Sequence, residues 1–197
     1  MSELAAKHGA VNLGQGFPDF QMPQELVELV ADAMRNGYNQ YTHLNGYLPL
    51  REAIAGKVAA LYGTQVSPDS DIIVTPGGTY AIYTALTTIL QRGDEVIVFE
   101  PAYDSYRPSI ELAGGKTVAV SLQVLRDESG QVASYEIPWD ALGKAINPKT
   151  RLIIINTPHN PTGMVWDKAD LDRLADLVRN TSALILSDEV YEHMVYD

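Results

Sequence analysis

Ala183-Leu184-Ile185-Leu186-Ser187-Asp188-Glu189-Val190-Tyr191 is the stretch that decides the fold. Four apolar residues run straight into polar ones. A run of that length is short for a helix and fits a strand buried in a parallel sheet. In open α/β sheets the carboxyl ends of such strands face the ligand crevice, which places Asp188 there. A carboxylate withdrawn from bulk water stays ionised only beside a cation or several hydrogen-bond donors. Glu189, one residue further on, has the ordinary reading of a solvated loop acid.

Working outward, Leu152-Ile153-Ile154-Ile155 is a second run of this kind, followed by Asn156-Thr157-Pro158-His159-Asn160-Pro161-Thr162-Gly163. Two prolines stiffen that loop, and Asn160–Pro161 is a candidate cis bond. The loop either is an ordinary turn or aims the Asn160 amide into the crevice as a neutral donor. Val96–Phe99 is a third strand, leading into Glu100-Pro101-Ala102-Tyr103-Asp104-Ser105-Tyr106. Tyr103, just past the strand end, can stack on a flat ligand or simply cover the edge of the core. Ile72–Val74 is expected as a strand leading into Thr75-Pro76-Gly77-Gly78-Thr79 and a helix over 79–90. Glycines let the backbone approach a ligand, and the free N–H groups of a helix start suit a phosphate at Gly78 and Thr79. The plainer alternative is a tight turn whose Thr79 caps the helix.

A further strand is expected over 117–120 and helices over 105–112, 139–146 and 171–178, with Asp167 as the last helix's N-cap and Asp170 in its first turn. Ahead of these lie a short helical signal over 3–7, a helix from Pro23 to Gly37 and another from Pro49 to Gly63. The polar, glycine-containing segment 126–131 reads as irregular. Alternating strands and helices specify an α/β protein of three layers around a mainly parallel sheet, covered on both faces.

The composition narrows the partners. A net charge of −11 argues against nucleic acid and anionic membrane surfaces. Without cysteine there is no disulfide framework and no thiolate chemistry. No apolar run reaches the length of a membrane span, so a cytoplasmic protein is the expectation. The four histidines lack metal-ligand spacing, no G-x-S-x-G marks a hydrolase serine, and the glycine pairs complete neither nucleotide-binding fingerprint. Four strand ends instead offer anion donors, an aromatic face, a neutral donor and an anion. Together they describe a pocket for a flat, phosphorylated, cationic heteroaromatic ligand.

Five stretches then carry a family resemblance: Val-Asn-Leu-Gly-Gln-Gly-Phe-Pro-Asp-Phe (11–20), Asn-Gln-Tyr (39–41), Gly-Tyr-Leu-Pro-Leu-Arg-Glu-Ala (46–53), Asn-Thr-Pro-His-Asn-Pro-Thr-Gly (156–163) and Ser-Asp-Glu-Val-Tyr (187–191). In this order they resemble the fold-type I, class I aminotransferases that depend on pyridoxal 5′-phosphate, most of all the branch of methionine and kynurenine–glutamine aminotransferases. The resemblance implies amino-group transfer between an amino acid (methionine, glutamine or an aromatic one) and a 2-oxo acid. It implies that Asp188 pairs with the cofactor's ring nitrogen and that Asn160 and Tyr191 bond its phenolic oxygen. Tyr103 would stack on the ring, and Gly78 and Thr79 would hold the phosphate. Tyr41 would reach the phosphate of a neighbouring subunit, hence a homodimer with shared sites. Gly16 would lie at the substrate carboxylate, and Phe17 would line the entrance. The domain reading is an N-terminal segment, 1–45, and a partial large cofactor-binding domain, 46–197, with the small domain lacking.

Two departures accompany the resemblance. Gly78 stands where alanine is common, and the family's cofactor-anchoring lysine is expected beyond residue 197. The fragment alone is therefore expected to be inactive. Two other functions share these motifs: a cysteine-conjugate β-lyase, and a non-catalytic module that keeps the fold.

Overall fold

The hydrophobic runs of the second half pair as a parallel sheet because a helix lies in each connection between them and carries the chain back across one face. The computed structural model describes all residues except Gln15, Phe17, Asp19 and Asp197. The role expected of Phe17 thus lies outside the described residues. The chain divides into two compact units, Met1–Val74 and Thr75–Asp197.

The first unit holds α1 (Ser2–His8), α2 (Gln24–Arg35) and α3 (Leu48–Tyr62). Pro23 stands at the N-cap of α2, and Gly63 ends α3 in the left-handed conformation that glycine adopts without strain. Arg51 on α3 is buried. Its Nε donates to Gly46 O at 3.1 Å and its guanidinium to Pro68 O, with the Asp69 carboxylate 3.8 Å away. The strand expected over Ile72–Val74 does not form. Val74 instead donates its N–H to Asn45 O and packs so closely on Gly46 that a Cβ there would lie 2.7 Å from the Val74 side chain. The segment is held by that backbone bond and side-chain contact rather than by a ladder.

The second unit runs α4 (Gly78–Ile89), β1 (Glu95–Glu100), α5 (Tyr106–Leu112), β2 (Lys116–Ser121), β3 (Gln123–Arg126), β4 (Val132–Glu136), α6 (Trp139–Ala145), β5 (Thr150–Asn156), α7 (Lys168–Val178) and β6 (Leu184–Asp188). The main sheet has the order β2-β1-β5-β6, every pair parallel. Alternation along the strands sorts their side chains into two cores. Val96, Val98, Leu152 and Ile154 pack on one face with Leu86 of α4 and Ile110 of α5. Ile97, Phe99, Ile153 and Ile155 pack on the other with Leu142 of α6, Leu174 of α7 and Trp166. The result is the expected three layers. Each fully buried aliphatic side chain contributes about 1.5–3 kcal/mol from removal from water.

Two details differ from the expectations. Segment 126–131 is the turn of a β3–β4 antiparallel hairpin, closed by Asp127, whose carboxylate accepts from Ser129 N, Ser129 Oγ and Gln131 N. And β6, expected to be covered on both faces, leaves Leu184 and Ile185 about two-fifths exposed, because it is the edge strand of the sheet. Among the described residues, no helix is long and apolar enough to cross a membrane.

Candidate functional site

A parallel sheet puts all its carboxyl ends on one rim. Here the chain steps from β1 outward to β2 on one side and continues through β5 and β6 on the other, so β1 and β5 flank the topological switch point where such sheets bind ligands. A cleft of about 180 Å³ opens on that rim. Gly78, Thr79 and Ile82 of α4 line it, with Tyr103 beyond β1, Asn156 and Asn160 at and beyond β5, and Asp188, Val190 and Tyr191 at the end of β6. Six of the residues singled out in the sequence therefore share one cavity. Gly16 and Tyr41 belong to the first unit, where the Tyr41 side chain is fully exposed.

Asp188 is half-buried and held from both sides. Tyr106 donates its hydroxyl to Oδ2 at 2.6 Å, and the Val190 N–H reaches Oδ1 at 3.2 Å. Tyr106 is buried, and burial, reinforced by the bond to the Asp188 anion, pushes its hydroxyl well above the usual phenol range. It stays a donor across all physiological pH. These bonds orient the carboxylate but leave its charge uncompensated: among the described residues no Lys, Arg or His lines the cleft. Among the described residues, the cleft itself supplies no cation to answer Asp188.

The other side of the cleft is complementary. The α4 helix starts at Gly78 after Gly77, which takes φ 107°, and no side chain caps its first turn. The first N–H groups of a helix lack intrahelical partners and carry the positive end of its dipole, so they favour an anion. A Cβ at Gly78 would meet nothing within 4 Å, so the approach is open. Thr79 does not cap its own helix; its Oγ lies 3.0 Å from the Tyr103 hydroxyl. Tyr103 in turn meets Tyr106 edge to face, centroids 5.6 Å apart. The aromatic is thus fixed at both its rim and its tip.

Asn156 ties the third side together. It is buried, donates Nδ2–H to Asp188 O at 2.9 Å and accepts the Asn160 N–H on Oδ1 at 2.6 Å. The Asn160–Pro161 peptide is cis, as are Thr157–Pro158 and Glu100–Pro101.

The sequence of residues 8–197 matches the aminotransferase class I and II family. The chain belongs to that family. Among its relatives, methionine aminotransferase of Escherichia coli is 45% identical over 194 residues, covering 98% of this chain and 48% of the relative. Human kynurenine–oxoglutarate transaminase 1 is 38% identical over 201 residues, covering 99% of this chain and 47% of its own length. The solved structure of N-succinyldiaminopimelate aminotransferase from Mycobacterium tuberculosis superposes with a TM-score of 0.91 at 41% identity, covering 100% of this chain and 50% of that one. The chain spans about half the length of these aminotransferases.

Within this aminotransferase half, sequence reasoning overlooked Tyr106 and the double role of Asn156. Both lie inside stretches with a clear sequence signal, Glu100–Tyr106 and Asn156–Gly163. Nothing local marks them, because Tyr106 finds its partner 82 residues away and Asn156 finds one of its partners 32 residues away.

Proposed function

We propose that the protein carrying this chain transfers an amino group between an amino acid and a 2-oxo acid, using pyridoxal 5′-phosphate held in the cleft. The observation that carries this reading is an oriented carboxylate without a cation, Asp188, sharing a cavity with an uncapped helix start at Gly78 and Thr79. A ligand that satisfies both must be cationic at one place and anionic at another, and a pyridinium ring bearing a phosphate is both. When bound, that group supplies an electron-withdrawing ring that eases proton loss at the amino acid's α-carbon.

The roles of the residues follow from their chemistry. Asp188 holds a proton at the ring nitrogen, because an ionised carboxylate in a partly desolvated cleft strongly favours the protonated partner. Asn160 and Tyr191 offer hydrogen bonds to the phenolic oxygen. Tyr103 presents its ring to the ligand face, and Gly78 and Thr79 bind the phosphate. For Gly16 the family resemblance alone supports the role of receiving the substrate carboxylate. Tyr41 serves the phosphate of a neighbouring copy, which makes the protein a homodimer; its full exposure in this chain supports that role. Among the described residues no lysine lines the cleft, and Lys116 and Lys149 stand at the opposite rim, where β2 and β5 begin. No lysine of this chain anchors the cofactor.

Titration of the purified chain with pyridoxal 5′-phosphate tests this. Saturable binding is expected, weakened about tenfold or more in Asp188→Asn, the loss of one charge-assisted contact. Borohydride reduction is expected to leave all six lysines without a stoichiometric adduct. Equal binding by the variant, or a single stoichiometric adduct accompanied by transamination, would overturn the corresponding assignment. For the protein that carries the chain, product formation that requires a 2-oxo acid is the expected signature. Pyruvate and ammonia from one substrate alone would indicate elimination instead.

A further inference from the structure

We infer that Asn156 is a positioning residue that sets the separation between the two groups flanking the cofactor ring, Asp188 and Asn160. The inference rests on the reading of the cleft just given. Asn156 is the last residue of β5, and its ladder partner is Asp188, the last residue of β6. A carboxamide carries a donor and an acceptor on one short planar group at any pH, and both are used here. Nδ2–H holds the Asp188 carbonyl at 2.9 Å, and Oδ1 holds the Asn160 N–H at 2.6 Å. The side chain is 4% exposed, so its orientation is fixed by packing as well as by these bonds.

The two arms are not equivalent. The Asp188 carbonyl also accepts the Thr157 N–H at 3.2 Å, so it keeps a backbone donor if Asn156 is cut. The Asn160 backbone is tied to the strand end through the Asn156 side chain. Loss of Asn156 therefore acts mainly through Asn160, freeing it relative to a carboxylate that stays in place. A rigid planar ligand that touches both groups is sensitive to such a shift, because polar contacts weaken steeply over fractions of an ångström.

The test is a double-mutant cycle read by ligand binding. The probe is 4′-deoxypyridoxine phosphate, the same ring without the aldehyde, so that no lysine chemistry enters. The purified protein is compared with Asn156→Ala, Asn160→Ala and the double variant, with Asp188→Asn as control. Asn156→Ala is expected to weaken binding about tenfold, and about threefold or less once Asn160 is alanine, the coupling that contacting residues show. The pH midpoint of the bound probe's absorbance, which reports on its phenolic oxygen, is expected to move in Asn156→Ala toward the Asn160→Ala value. Where alanine does not fold, Asn156→Ser keeps one polar atom in the same space and takes its place.

Equal losses in both backgrounds, with no movement of the pH midpoint, would overturn the inference. They would mean that Asn156 touches the ligand itself or only supports the fold. If the wild-type protein does not bind the probe, or Asp188→Asn binds as well as wild type, the cofactor reading fails and takes this inference with it. If the wild type binds, Asp188→Asn does not, and the cycle shows no coupling, this inference alone fails.

Discussion

His159 sits between the two prolines of the Asn160 loop and is 5% exposed, its Nδ1 2.8 Å from Thr162 Oγ and its N–H on Met164 O. Burial holds its pKa below the ordinary histidine value, so the folded loop favours the neutral ring. An unfolded histidine titrates near 6.5. The contribution is therefore fully present above about pH 6.5 and is lost as pH falls through the lower folded value, at a rate of at most about 1.4 kcal/mol per pH unit. Urea unfolding at pH 7.5, 6.0 and 5.0 checks this. The wild type is expected to lose more stability on acidification than His159→Gln, and identical slopes would refute it. At this scale the residues that follow strand ends are legible in the sequence, because a polar group directly after a buried apolar run is carried to the rim of the sheet. Tyr103, Asn160, Asp188 and Tyr191 are readable that way, whereas Thr79 is marked by the glycine-led helix start, since the strand expected before it does not form. Tyr106 is not readable, since an aromatic in an amphipathic helix reads as core; indeed it packs there, with only its hydroxyl turned to Asp188.

Among the elements, α7 shows how far local signals carry. Asp167 accepts the Asp170 N–H at 2.8 Å while the Asp170 carboxylate takes the Asp167 N–H at 3.3 Å, a capping box that adds a reciprocal bond to the N-cap expected from the sequence. Asp167→Ala is expected to cost about 1 kcal/mol by chemical denaturation, and Asp167→Ser much less. A cost under a few tenths for alanine would mean that tertiary packing alone holds the helix start. The strands are legible in proportion to their burial. The β1 and β5 strands declare themselves as apolar runs, whereas β3 and β4 are short and largely exposed. Their hairpin depends on the Asp127 side chain folding over its own turn, a local bond that composition does not reveal. The opposite error befalls Ile72–Val74, apolar enough for a strand but paired with none among the described residues.

Over the whole molecule, charge and an unfinished edge act against each other. The β6 strand offers a free side with Leu184 and Ile185 exposed, the arrangement that invites pairing between chains. A net charge of −11 opposes that association at neutral pH and vanishes near the isoelectric point of 4.7. Light scattering of the isolated chain is expected to rise steeply as pH approaches 4.7, and Ile185→Lys to suppress the rise. Scattering that ignores pH would separate self-association from charge. The parallel sheet also makes its two rims unlike. One holds the cleft; the other is closed by Glu95, which takes Asn147 at 2.8 Å and Lys116 at 3.5 Å. Lys149 is exposed at that second rim, a strand's length from Asn156, roughly 20 Å for the seven residues of β5. In a chain without cysteine, a thiol introduced there would accept a maleimide dye at one place only. The sheet's own direction thereby provides a labelling point from which occupancy of the cleft can be followed by fluorescence without crowding it.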